Sequence, residues 1–263
     1  MSNAVVIGNG ESRSWYCPSH QTFGVPVRTW GCNAIHRDGL PDNLVAVDYG
    51  MQQEIYETNN WRDTQCWFAN WSILPAEVAA GMFMGYDIPE AFINRNSNVT
   101  DRCVISGKDP VTVNEKIETA IKMHPHLDMK DLRAKMEKDV GVWITYVEDD
   151  DNINTIDFPI GWSAGNTALY LACQSGAEEV YILGFDLSSY DEPLNNIYKG
   201  TDNYLSSDAK GFNSVNWKDQ MQTVFEEFKD VKFYWVDARD NSIQENNLSY
   251  LTKTDFCDTL KIL

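Results

Sequence analysis

The sequence predicts an α/β fold: one parallel, twisted sheet with helices on both faces and a small helical lid. Three observations predict it. The chain opens on a short apolar strand, Asn3–Ile7, that runs straight into the glycine turn Gly8-Asn9-Gly10. Further in, a small-residue helix from Thr167 to about Gln174 is stopped by Gly176 and followed at once by the apolar run Val180–Phe185. A helix ended by glycine and followed by a buried-looking strand is half of a βαβ unit. Further apolar runs at Val25–Trp30, Leu44–Val47, Val142–Val147 and Val231–Val236 supply more strands.

In a parallel sheet, ligands bind beyond the carboxyl ends of the strands, so the residues at those ends carry the functional reading. The first strand delivers Gly8, Asn9 and Gly10. The full G-x-G-x-x-G fingerprint is missing, because Arg13 stands at the third glycine position. That disfavours a nicotinamide or flavin site. Arg13 reads either as a phosphate fork or as an ordinary surface arginine. The second strand ends at Gly31-Cys32-Asn33-Ala34 and the third at Asp48-Tyr49. An asparagine both donates and accepts, which suits a base edge or a ribose, and an aspartate accepts from sugar hydroxyls.

Gly50–Thr58 reads as a helix, and Trp61–Trp71 as a strand with turns around Gln65–Ala69. Its tryptophans suit either core packing or stacking on a sugar or base. Residues 75–140 read as an inserted lid, with helices over Val113–Met123 and Lys130–Val140 flanking His124 and His126. Val142–Val147 runs into Glu148-Asp149-Asp150-Asp151, a hard oxygen set for a divalent metal or a plain acidic loop. The turn Trp162-Ser163-Ala164-Gly165-Asn166 lies at a helix start, where free N–H groups and the dipole favour an anion. Asp186 closes the following strand. Ser189–Asn213 reads as a long polar loop whose Tyr198, Tyr204 and Lys199 hold a phosphate once it closes. An amphipathic helix, Asn216–Lys229, precedes the last strand, and the tail from Asn241 reads as a loop and one short helix.

The bulk composition narrows the classes. The chain has 263 residues and 43% hydrophobic content, enough for one large α/β domain or two small ones. No apolar run approaches the roughly 20 residues of a spanning helix. No basic leader precedes the first strand, so no membrane partner and a cytoplasmic location are expected. The net charge of −18 repels nucleic acid overall. The six cysteines show no CxxC pair and the four histidines no H-x-x-x-H pair, so no zinc site is expected.

Two separated motifs carry a family resemblance. Val5-Val6-Ile7-Gly8-Asn9-Gly10-Glu11-Ser12 with Gly31-Cys32-Asn33-Ala34 resembles the G-N-G-P-S … C-N opening of bacterial lipooligosaccharide sialyltransferases. Ser163-Ala164-Gly165 through Glu179–Asp186 resembles their T-S-G … E-I-Y-L-x-G-I-D block. The strings G-N-G-E-S-R and G-C-N-A-x-H-R-D also look like those of uncharacterised proteins of large tailed phages. The resemblance covers about half of the chain. It implies a variant Rossmann sheet that binds a nucleotide at the strand ends. Gly8, Asn9 and Gly10 would approach phosphate and ribose, Asn33 would contact base or ribose, and Ser163, Gly165 and Asn166 would line the pocket. Ala164 replaces a serine that bonds the nucleotide, which puts cytidine specificity in doubt. The family's histidine before the last helix is absent here, where Gly211–Asn216 stands.

The expected activity is therefore glycosyl transfer from a UDP- or CMP-linked sugar, with no tightly bound cofactor and the need for a divalent metal open. The acceptor is a glycan or, if the chain is phage-encoded and acts in the host cytoplasm, hydroxymethylated pyrimidine DNA. An acceptor hydroxyl needs a base. The candidates, in falling order, are Asp186, Asp48, Asp208 and His36. The alternatives are a pyrophosphokinase-like phosphotransferase and a non-catalytic nucleotide-binding module.

Overall fold

Alternation along each strand sorts the apolar residues onto two faces, and the computed structural model shows both faces covered. It describes residues 2–69, 104–105, 118, 122, 144–145, 151–156, 162–187, 192–211 and 215–262. The strands are β1 (Asn3–Ile7), β2 (Val27–Cys32), β3 (Asn43–Ala46), β4 (Gln65–Ala69), β5 (Val104–Ile105), β6 (Ile144–Thr145), β7 (Ile153–Ile156), β8 (Glu179–Leu183), β9 (Lys232–Val236) and β10 (Leu248–Leu251). The helices are α1 (Tyr49–Glu57), α2 (Ala164–Gln174), α3 (Val215–Glu227) and α4 (Lys253–Leu260). Eight strands form one sheet in the order β10-β9-β8-β1-β2-β3-β4-β7, and every pairing in it is parallel. This is a doubly wound, Rossmann-like α/β sheet. The order reverses between β1 and β8, so the switch point, where such sheets bind ligands, lies at their carboxyl ends.

One face carries Ala4, Val6, Trp30, Val180, Ile182, Phe233 and Trp235, covered by α2 and α3. The other carries Val5, Ile7, Leu44, Phe68, Tyr181 and Leu183, covered by α1 and α4 through Met51, Ile55, Phe256 and Leu260. Neighbouring residues of β1 and β8 thus serve opposite cores, as a pleat with period two requires. Two of the expected stacking tryptophans belong to the core. Trp61 stacks on Tyr56 with ring centroids 5.7 Å apart, and Trp67 packs against buried Trp30 at 5.8 Å.

The helix expected from Thr167 begins earlier, at Ala164, because Ser163 caps it: Ser163 Oγ accepts from the Asn166 N–H at 3.2 Å. It ends as expected at Gly176, whose φ of +90° suits a glycine terminator. Three strands escaped the sequence reading: β5, within the segment read as a lid, β7 and β10. β7 alternates only weakly between acidic neighbours, and β10 is a half-exposed edge strand. β6 was expected to be a longer strand; among the described residues it covers Ile144–Thr145 and pairs antiparallel with β5, apart from the main sheet. The expected lid over 75–140 and the acidic residues Glu148–Asp150 lie almost wholly outside the described residues.

Gly184 has a φ of +66°, and a Cβ there would come within 2.9 Å of both Arg13 Cγ and the Gly8 carbonyl oxygen. At Gly176 nothing lies within 4 Å of an added Cβ, so only backbone strain opposes a side chain. Chemical denaturation should therefore separate the two: Gly176→Ala should cost about 1 kcal/mol. Gly184→Ala, with strain and collision together, should cost roughly 2–4 kcal/mol.

Candidate functional site

The carboxyl ends of β1 and β8 are stitched directly to one another. Gly8 N–H donates to the Leu183 carbonyl and Gly10 N–H to the Gly184 carbonyl, each at 2.8 Å. A Cβ on Gly8 would lie 2.5 Å from the Gly184 oxygen, and one on Gly10 2.5 Å from the Asp186 carboxyl carbon. The glycine turn is thus required by loop-to-loop packing at the switch point.

Arg13 is the main correction to the sequence reading. Its side chain is 1% exposed and lies under the turn. Nε donates to the Gly8 carbonyl, Nη1 to the Tyr16 carbonyl at 3.3 Å, and Nη2 to Asn9 Oδ1 at 3.4 Å and to the Tyr198 hydroxyl at 2.9 Å. Asp38 adds an ion pair at 3.5 Å. With every nitrogen engaged inside the protein, the guanidinium is a structural tie and no fork for a phosphate from solvent. Tyr198 belongs to the same tie: it is buried, and its hydroxyl donates to Asp38 Oδ2 at 2.5 Å. Burial raises the Tyr198 hydroxyl pKa, so it stays a neutral donor. Lys199 is held too, bonding Glu11 Oε1 at 2.6 Å and the Leu194 carbonyl at 3.2 Å.

The four candidate bases separate by environment. Asp186, the first choice from sequence, is buried at the β8 end; its Oδ2 accepts the Ser12 backbone N–H at 2.7 Å, and Arg239 lies 3.6 Å away. Its Oδ1 is buried with no hydrogen-bond partner. In this arrangement Asp186 braces the turn after β1, out of reach of an acceptor in solvent. His36 is also closed off: Nδ1 bonds the Asn33 carbonyl at 3.0 Å and Nε2 bonds Glu54 at 3.1 Å, with the side chain 2% exposed. Asp208 is exposed, and a hydrogen bond from Ser206 lowers its carboxyl pKa, which weakens it as a base.

Asp48 differs from all three. It stands at the end of β3 as the N-cap residue of α1, yet its carboxylate makes no cap bond and has no hydrogen-bond partner among the described residues. It is open to solvent, while the surrounding protein desolvates it and raises its pKa. Asp48 thus stands exposed at the carboxyl edge of the sheet. Nearby Cys32, at the end of β2, is pushed up to about 12, first by burial, with Arg13 opposing and Asp48 adding to it. It is a neutral thiol.

The two asparagines follow β1 and β2 at the same edge of the sheet. Asn33 adopts a positive φ of 53°, and its Oδ1 is buried without a partner. Asn9 Nδ2 donates to the Cys32 carbonyl at 3.3 Å and to the Tyr204 hydroxyl at 3.0 Å. The start of α2 reaches the same edge, since a Cβ on Gly165 would touch the Phe185 ring at 3.3 Å. Ser163 Oγ is used on the Asn166 amide, which leaves the first-turn amides of Ala164 and Gly165 without partners among the described residues. Asn166 is buried and donates to the Trp217 carbonyl and Gln220 Oε1, so it serves to fix α3 against α2. Among the described residues no three His, Cys, Asp or Glu side chains converge to hold a metal ion.

Sequence reasoning missed Arg37, Glu54, Arg239 and Gln220 altogether. Arg37 grips Glu54 with two nitrogens, each at 2.6 Å. Burial alone would raise the Glu54 carboxyl, but hydrogen bonds from Arg37 and Asn203 and the charges of Arg37 and His36 bring it below its ordinary value. Only the string His36-Arg37-Asp38 hinted at this network, and charged residues in a turn ordinarily face water.

No family model matches the chain, and no curated protein matches its sequence. Among solved structures it is similar to the sialyltransferase CstII from Campylobacter jejuni, in complex with the substrate analogue CMP-3FNeuAc. The identity is 12% and the TM-score 0.37, over 89% of this chain and 80% of that chain. A likeness at this level says nothing of the site, whose reading rests on its own geometry. No helix among the described residues is long and apolar enough to cross a membrane.

Two outcomes follow from this geometry. Arg13→Leu, which empties a buried charged tie, should cost about 3–5 kcal/mol. Tyr198→Phe, which removes one bridging hydroxyl, should cost about 1–3 kcal/mol, so urea denaturation should rank the pair in that order. The second concerns Asp48. A carboxyl whose folded pKa lies above its unfolded one favours the folded state at low pH, and that contribution is lost as pH rises through the folded value. Asp48→Asn should therefore raise the melting temperature at pH 7. The gain should close as pH falls below the ordinary carboxylate range of roughly 4.

Proposed function

We propose that the chain is a glycosyltransferase that moves a sugar from a nucleotide-activated donor, UDP- or CMP-linked, to an acceptor hydroxyl. The observation that carries this reading is Asp48: a solvent-open carboxylate with a raised pKa and no partner among the described residues, at a strand end of a doubly wound sheet. Perturbed carboxylates in clefts are the groups that chemistry uses. The resemblance of the Gly8–Ser12, Gly31–Ala34 and Ser163–Asp186 strings to sialyltransferase motifs supplies the reaction class.

In this reading Asp48 takes the proton of the acceptor hydroxyl as its oxygen attacks the anomeric carbon. The bond from that carbon to the nucleotide's phosphate oxygen breaks, and the nucleotide leaves with the electron pair. The first-turn amides of Ala164 and Gly165, at the positive end of α2, receive the charge that develops on the leaving phosphate. Asn9 reads base or ribose as a donor through Nδ2, and Asn33 does so as donor and acceptor. A glycan is the favoured acceptor. The charge of −18 opposes DNA, and of the basic residues Arg95, Arg102, Lys108, Lys116 and Lys122 that could offset it, all but the exposed Lys122 lie outside the described residues.

A thermal-shift panel of nucleotides and nucleotide sugars, each with and without Mg²⁺ or Mn²⁺, tests the reading. The true donor at ~100 times its Kd should stabilise the fold by about 2.7 kcal/mol. Asp48→Asn should keep that shift and lose roughly 10²–10⁴-fold in turnover. A shift with ATP and Mg²⁺ alone would replace glycosyl transfer with phosphotransfer.

A further inference from the structure

Two donors at the strand ends converge on one oxygen that is not a ligand's. Asn9 Nδ2, after β1, donates to the Tyr204 hydroxyl at 3.0 Å, and the Ala34 backbone N–H, after β2, donates to the same oxygen at 3.4 Å. A pair of N–H groups aimed at one point takes an acceptor oxygen, whether a base carbonyl, a sugar hydroxyl or a phosphate oxygen. The pair stands where a sheet of this topology receives its ligand.

Tyr204 reaches this point from residues 192–211, which cross the strand ends as a strap. The strap has two unlike parts. Around Tyr198 it is buried and tied to Arg13 and Asp38, and the Ile197 N–H bonds the Asn9 carbonyl at 2.9 Å. Beyond Gly200, whose φ is +80°, the tip from Thr201 to Asn203 is exposed. A polar clasp holds the tip down. Arg37 Nη1 donates to Thr201 Oγ1 at 2.7 Å, Arg37 Nη2 to the Asp202 carbonyl at 3.0 Å, and Asn203 Nδ2 to Glu54 Oε2 at 2.8 Å. Gly50 lies under the tip, where a Cβ would come within 2.6 Å of Asn203 Oδ1. Every one of these clasp bonds faces solvent, so water replaces them at small net cost when the tip lifts.

We propose that Tyr204 is a self-ligand. Its hydroxyl occupies the Asn9 and Ala34 donor pair while the site is empty, and the strap tip lifts to release the pair to an oxygen of the nucleotide. The Arg37–Glu54 clasp sets the balance between the two states. The strap then competes with the ligand, and the apparent affinity is the intrinsic one reduced by the fraction of molecules with the tip lifted. The identity of the ligand rests on the glycosyltransferase reading; the competition does not.

The test compares the full chain with Tyr204→Phe, which removes only the hydroxyl, and with Arg37→Gln, which loosens the clasp and leaves the donors intact. Hydrogen exchange reads the strap directly. The Gly200 and Tyr204 amides should exchange faster in both variants, while those of α2 and β8 keep their protection. Titration with CMP, UMP, CDP and UDP reads the donor pair. The apparent Kd of whichever nucleotide binds should fall roughly threefold or more in both variants. A weaker affinity in Tyr204→Phe would make the hydroxyl an ordinary ligand contact and overturn the proposal, as would unchanged exchange in both variants. If no nucleotide binds the parent chain, the glycosyltransferase reading fails and the exchange result alone decides the strap.

Discussion

A single buried guanidinium holds the candidate site together. Arg13 gathers the Gly8 carbonyl at the end of β1, the Tyr16 carbonyl in the following turn, the Asn9 side chain, the Tyr198 hydroxyl of the strap and the Asp38 carboxylate after β2. These five groups come from three separate stretches of chain. A buried arginine persists only where its donors and its charge are both answered, and the planar fork answers several acceptors at once. The site's shape depends on that arrangement. Asn9 Nδ2 points at the Cys32 carbonyl and the Tyr204 hydroxyl because Arg13 fixes its oxygen, and the strap crosses the strand ends because Tyr198 is pinned from below.

The same tie explains how acidity is distributed over the strand ends. Asp38 and Glu54 sit beside arginines, and Asp186 accepts a backbone N–H with Arg239 nearby. Each of these carboxylates is answered by a positive charge or a donor. Asp48 alone is desolvated without such an answer among the described residues. A carboxylate held in that way costs the fold stability, and proteins retain such costs chiefly where chemistry needs them.

The sheet was legible because its signals were local and redundant. β1, β8 and β9 are apolar on both faces, as fully covered parallel strands must be, and glycine marks the end of α2. β7 and β10 were not legible, because a strand whose order comes from pairing with one neighbour at an edge needs little apolar content of its own. The positions of the candidate side chains were partly legible: strand ends named Asn9, Asn33, Asp48 and Asp186. Their roles were not. Arg13 and Asp186 turn inward because of partners far along the chain, at Tyr198 and Ser12 respectively, and no spacing rule records such pairings. His36 reads as a free imidazole until Glu54 on α1 comes alongside it.

The register of the central strand has a consequence for biosynthesis. β1 leaves the ribosome well before β8, so one of its two edges stays empty until β8 appears, because Asn3 pairs with Glu179 and Ile7 with Leu183. At translation speeds of about 5–20 residues per second, that interval is on the order of ten seconds. Throughout it, an uncharged Ala-Val-Val-Ile segment presents an open row of backbone donors and acceptors, the feature that invites wrong partners. The nascent chain thus carries this hazard until β8 emerges, and the half-sheet β1-β2-β3-β4 is what a chaperone would meet before the molecule closes.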